Sequence, residues 1–174
     1  MELKMKLISA AEQLFDRHGY SATGVDRLTQ AADMSSRTLY KHAGSKAQLM
    51  ASVLDERNRR FMERLEVGSV DTLFAALEDW VRVEGTRGCL FLRAHAETGG
   101  DTPEIANAVA AHKASFVKRI LAIVAVDLGR EDADLAEQVL VLFEGATHAA
   151  VYRGRKAVSA ARAAAATLLE GARS

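Results

Sequence analysis

The 174 residues balance 23 Lys and Arg against 23 Asp and Glu and are 49% hydrophobic, with a single Pro and a single Cys. That apolar share suits one domain or two small ones sharing a core, and the lone Cys89 excludes an intrachain disulfide scaffold, as a reducing cytoplasm would. No apolar run approaches a membrane span, and residues 1–10 mix charge with apolar residues unlike a signal peptide, so a soluble, cytoplasmic protein without a membrane partner is expected.

Helical periodicity runs through the whole chain, and no alternation is long enough for a strand, which predicts an all-α fold of about nine helices. The first spans about 3–18, with Leu7, Ile8, Ala11, Leu14 and Phe15 on one face and Gly19 as its terminator. Residues 23–49 then punctuate three helix starts. Thr23 and Asp26 suggest a capping-box opening for a short helix carrying Val25, Leu28 and Ala32, which breaks at Asp33 and Met34. Ser35 can cap a second short helix, whose Leu39 faces inward while Arg37, Thr38, Tyr40, Lys41 and His42 lie on its other faces. Gly44 ends that helix, and Ser45 with Gln48 opens a long one that continues through Phe61 and Leu65 to Gly68. Two short helices joined by a tight turn, the second polar, cationic and aromatic outside, have the order of a helix-turn-helix that reads DNA. Charge distribution agrees: residues 1–64 hold eleven Lys and Arg against eight Asp and Glu, a net +3, which leaves −3 for the remaining 110.

Beyond the long helix, whose Arg57, Arg59 and Arg60 read as a solvated face, a fifth helix carries Leu73, Leu77, Trp80 and Glu84 and stops at Gly85. A sixth covers 88–97. Thr102, Pro103 and Glu104 then give a complete start for a seventh helix reaching about Leu128: a capping hydroxyl, Pro at the first position and an acid near the positive dipole end. An eighth runs from about Asp132 to Tyr152 and an Ala-rich ninth over 156–169.

The Ser-x-x-Thr-Leu-Tyr-x-His run at Ser35, Thr38, Leu39, Tyr40 and His42, followed by Lys46 and preceded by Thr23, Leu28, Ala31, Ala32 and Met34, resembles the DNA-binding signature of the TetR family of bacterial transcriptional regulators. Two residues depart from it. Asp33 replaces the turn Gly, and Asp is among the few other residues that tolerate a left-handed backbone. Ala43 replaces an anchoring Phe, whose place Met50 or Phe15 would fill. The resemblance implies a DNA-binding domain at 1–48 and a helical effector-binding and dimerisation domain at 49–174. It further implies a repressor that binds a near-palindromic double-stranded DNA operator as a homodimer and is released by a small-molecule effector. A DNA-binding regulator without a ligand, or a metal-responsive one, is the alternative.

Arg37 is the expected base-reading residue, because its fork can bond bidentately to guanine, with Ser36 and Thr38 assisting. Ser35, Tyr40, Lys41, His42, Lys46 and Thr23 are the expected phosphate contacts. For the effector, His112 interrupts the stripe of Ile105, Val109, Phe116, Ile120 and Ile123, and together with Phe61, Trp80, Phe91, His95, Phe116 and Phe143 would line an apolar cavity; for the aromatics a plain core is the stronger reading, and His112 fits a core histidine bonded to a neighbouring Glu or backbone group as well as a ligand contact. Cys89 reads as a small buried hydrophobe.

The eighth helix is apolar beyond the width one core requires, and the ninth is rich in small residues. Leu140, Phe143, Thr147, Val151, Ala161, Ala165 and Leu168 are therefore the expected dimer interface, a four-helix bundle with the two-fold mate. No phosphate loop or nucleophile elbow is present, so neither catalysis nor a cofactor is expected. His95, Glu97, His112 and His148 lie on three separate helices without short ligand spacing, which makes a zinc site the weaker reading.

Overall fold

A computed structural model describes residues 2–174 and shows, among these, nine helices and no strand: α1 (Glu2–His18), α2 (Val25–Ala32), α3 (Ser36–Ala43), α4 (Lys46–Arg64), α5 (Val70–Glu84), α6 (Leu90–Glu97), α7 (Pro103–Leu128), α8 (Ala133–Arg153) and α9 (Arg155–Arg173). Glycine and caps set most of the boundaries. Gly19 stops α1 with φ +87°, and Ser69 caps α5 in a reciprocal box with Thr72, each side chain accepting from the other's backbone N–H. Asp132 accepts the Leu135 N–H at 3.0 Å to open α8. No helix of the described residues is long and apolar enough to cross a membrane.

The chain forms two compact units, residues up to 59 with 90–112, and residues 60–89 with 113–174. The division expected after residue 48 thus falls inside α4, and α6 groups with the N-terminal helices. In the first unit, Leu7, Ile8, Ala11 and Phe15 of α1 are buried together with Leu28, Leu39, Leu49, Met50, Val53 and Leu54. Polar links reinforce this core. Arg57 of α4 donates to Glu12 of α1 at 2.9 Å, both side chains largely out of solvent, and Arg93 of α6 donates to the Asp16 carbonyl at 2.8 Å. Arg57 is therefore not solvated as expected; it follows Met50, Val53 and Leu54 on the covered side of α4.

The second unit buries Leu73, Phe74, Leu77 and Trp80 of α5, Ile120 and Ile123 of α7, Val139 and Phe143 of α8, and Val158 and Ala165 of α9. Phe61, Trp80, Phe116 and Phe143 form an aromatic cluster, with Phe61 edge-on to Trp80 at 5.2 Å between ring centroids and to Phe116 at 5.3 Å.

Candidate nucleic-acid interface

The turn between α2 and α3 closes in a left-handed residue. Asp33 takes φ 51° and ψ 58°; its N–H reaches the Gln30 carbonyl at 3.3 Å, and the Met34 N–H reaches Thr29 at 3.0 Å, so the last carbonyls of α2 are satisfied. Ser35 then caps α3, its hydroxyl accepting the Thr38 N–H at 3.2 Å. This geometry leaves Ser35, Ser36, Arg37, Tyr40 and Lys41 exposed, Thr38 and His42 half-buried, and Leu39 fully buried as the anchor. A cationic, hydroxyl-bearing face at the positive dipole end of a short helix can hold phosphate and present a guanidinium to a base edge. The position of the family's Phe is taken by a half-buried Ala43, while Phe15 and Met50 are both 0% exposed.

Two expected phosphate contacts are placed differently. Thr23 is 0% exposed; its hydroxyl donates to the Gly19 carbonyl at 2.6 Å, and Gly24 rather than Thr23 occupies the cap position of α2. The side chain braces the α1–α2 turn instead of facing DNA. Lys46 is half-buried, its ammonium 4.3 Å from the Tyr20 ring centre; desolvation pushes its pKa down while the Glu97 carboxylate pushes it back up. Glu97 also accepts the Ser21 N–H at 2.8 Å. The turn that precedes α2 is thus held by α6 as well as by α4.

Comparison with known proteins decides the family. The profile of bacterial regulatory proteins, tetR family, matches residues 7–53. Over 64 residues the chain is 30% identical to the HTH-type transcriptional regulator QacR of Staphylococcus aureus, a match covering 37% of this chain and only 34% of that protein's length. At full length, the fold superposes on a TetR-family transcriptional regulator from Streptomyces coelicolor with a TM-score of 0.87 and 25% identity, covering 99% of this chain and 97% of that one. A TetR-type regulator from Streptomyces avermitilis matches with a TM-score of 0.81 and 25% identity, covering 99% and 98%.

The chain belongs to the TetR family. It is a TetR-family transcriptional regulator, and α2, its turn and α3 are the helix-turn-helix of the family; both family and fold are those of transcriptional regulators.

The residues expected at the effector site fall in separate places. In the first unit His112 is 3% exposed, its ring stacked on Phe91 at 3.6 Å with the planes 7° apart, and its Nδ1 donates to Asn58 Oδ1 at 2.8 Å. His95 is exposed on α6, with its ring against Gly100, and so does not point into an apolar cavity as expected. In the second unit Phe61, Trp80, Phe116 and Phe143 are core. Cys89 is half-buried, with Lys113 Nζ 3.8 Å from its sulfur. Among the described residues no three His, Cys, Asp or Glu side chains converge on a point that could hold a metal ion.

The expected dimer residues also divide. Phe143, Ala161 and Ala165 are buried within one TetR-family chain, 2%, 9% and 0% exposed, so a second copy has little left to cover there. Leu140, Thr147 and Leu168 are half-buried and Val151 is 52% exposed. An apolar groove open to solvent lies between α8 and α9, lined by Val141, Leu142, Gly145, Ala149, Ala160 and Ala164. Asn58 and Gly145 were not singled out by the sequence pattern, and Arg57 was read only as part of a solvated face. Arg57 had a signal, since Val53, Leu54, Arg57 and Phe61 recur at helical spacing on one side of α4.

Proposed function

We propose that the protein is a repressor that binds a near-palindromic operator as a homodimer and releases it when a small-molecule effector binds. The observation that carries this reading is α3 itself: a short helix, capped at Ser35 and anchored by Leu39, that projects Arg37 and Lys41 into solvent. In this reading the two copies set two such helices into successive major grooves, Arg37 reads a base edge with Ser36 and Thr38 beside it, and Ser35, Tyr40, Lys41 and His42 hold phosphates. Lys46 positions the α1–α2 turn and adds long-range charge.

His112 is the sensing residue proposed here. A ligand that separates its ring from Phe91, or takes over its bond to Asn58, acts directly on α4, the helix that begins at Lys46 beside the reading helix. The readout is selection of bound DNA from a random pool by the purified protein, followed by a reporter in which the recovered site overlaps a promoter. Inverted repeats and lowered reporter output are expected; single half-sites or raised output would overturn the dimeric repressor. A compound that releases wild type should fail to release His112→Phe, which keeps the same operator preference; normal release would place sensing elsewhere.

A further inference from the structure

Glu97 is the last residue of α6, and a carboxylate there faces the negative end of the helix dipole, where a cation would be favoured. Local helix chemistry does not account for it. What it reaches does: its Oε2 accepts the Ser21 N–H at 2.8 Å, and its Oε1 lies 2.7 Å from the place a Cβ on Gly19 would occupy, so the carboxyl group fills a space left open by the glycine. One helical turn earlier on α6, Arg93 donates to the Asp16 carbonyl at 2.8 Å and to the Asp16 carboxylate at 3.3 Å. Within the first unit, α6 thus holds the end of α1 and the turn after it at two points, one cationic and one anionic.

The segment held is the entry to the helix-turn-helix. Its backbone closes on itself through the Gly19 N–H to Phe15 and the Thr23 N–H to Tyr20, and the Thr23 hydroxyl adds a bond to Gly19, while the Ser21 N–H finds its acceptor on α6. The exit lies near the same carboxylate. Lys46, which opens α4 three residues after α3 ends, rests on the Tyr20 ring and feels the Glu97 charge. One side chain on α6 therefore bears on both ends of the stretch that carries α2, the turn and α3. Recognition groups work only when held within about 0.5 Å of the productive geometry, so the set of this entry turn matters to every contact α3 makes.

We propose that Glu97 is a positioning residue for DNA recognition: through the Ser21 N–H, its carboxylate fixes the turn between α1 and α2 and so the attitude in which α3 meets the groove. This rests on the reading of α3 as the DNA reader and adds the residue that sets it. The sign of the effect separates positioning from simple electrostatics. A bystander carboxylate beside a cationic face repels phosphate, so deleting it would strengthen DNA binding; deleting a positioning carboxylate weakens it.

The test is the affinity of the full chain for operator DNA recovered by selection with wild type, read by fluorescence anisotropy, alongside hydrogen exchange of the 19–24 backbone. Glu97→Ala should bind the operator about fivefold more weakly with unchanged base preference, and its 19–24 segment should exchange faster than in wild type. Glu97→Gln keeps an oxygen acceptor for the Ser21 N–H and removes only the charge, so it should stay within about twofold of wild type or bind more tightly, with the segment still protected. Glu97→Ala binding as well as wild type or better, while Arg37→Ala loses affinity, overturns the positioning role and leaves α3 as the reader. Equal losses in the Ala and Gln variants, or a loss in Glu97→Ala without faster exchange at 19–24, overturn it as well. Operator binding that Arg37→Ala leaves intact overturns the reading of α3 on which the proposal rests.

Discussion

Replacing Arg57 by Ala should be among the most damaging single changes away from the DNA face. The residue is 5% exposed, its guanidinium donates to Glu12 Oε1 at 2.9 Å, and the Glu12 side chain is only 13% exposed, so the pair is held largely away from water. Removing one member leaves a desolvated carboxylate without its main counter-charge, which costs about 3–5 kcal/mol, whereas an exposed pair would cost about 1 kcal/mol or less. For a chain of this length each kcal/mol moves the melting temperature by about 2–4 °C, so a fall of about 6–20 °C is expected. Thermal unfolding followed by circular dichroism, backed by a urea titration, gives the number. Arg57→Met combined with Glu12→Leu removes both charges and refills the space with apolar atoms, and should recover most of the loss. A drop of only about 1–2 °C for Arg57→Ala would correspond to an exposed pair and refute the argument. Because the pair joins α1 to α4 within the first unit, the same variant should also lose operator affinity without touching any DNA contact.

Thr23→Val keeps the shape of a fully buried side chain but orphans the Gly19 carbonyl, so it should cost about 1–3 kcal/mol in stability and leave the salt slope of DNA binding at the wild-type value; a slope lower by about one would return Thr23 to the phosphate contacts. Asp132 has its pKa lowered chiefly by the Leu135 N–H it caps, with Arg130 adding to the effect. Its contribution to stability is therefore complete above the ordinary carboxylate pKa of about 3.9 and lost as pH falls through the lower folded value. Asn caps comparably without titrating, so Asp132→Asn should lose less melting temperature on acidification below about pH 4 than wild type, and equal acid slopes would show that the cap is not the titrating element.

Helix order was legible because the breaks are made by local chemistry. Gly19 and Gly85 adopt positive φ, Ser35 and Asp132 cap through their own side chains, and Asp33 takes the left-handed turn that its residue type allows. What depends on tertiary cover was not legible. Periodicity placed Arg57 on α4 but could not say that α1 would bring Glu12 to it, and the hydroxyl of Thr23 had an equally good local use as a cap. His95 and Phe91 lie one turn apart on the same short α6 and were assigned to one cavity, yet Phe91 is stacked on His112 while His95, near the end of the helix, is exposed with its ring against Gly100. On α8 apolar residues extend nearly around the helix, so the sequence could not separate Phe143, which faces α5 and α7 residues in the core, from Val141 and Gly145, which face solvent.

The central claim is that α3 reads operator DNA through Arg37. Its most direct test is the affinity of wild type, Arg37→Ala and Lys41→Ala for a selected operator and for scrambled DNA, each measured by fluorescence anisotropy over a range of salt. Arg37→Ala should lose about 1–3 kcal/mol on the operator with relaxed base preference, while Lys41→Ala should weaken both DNAs alike and lower the salt slope by about one. Wild-type affinity and preference in Arg37→Ala would contradict the account.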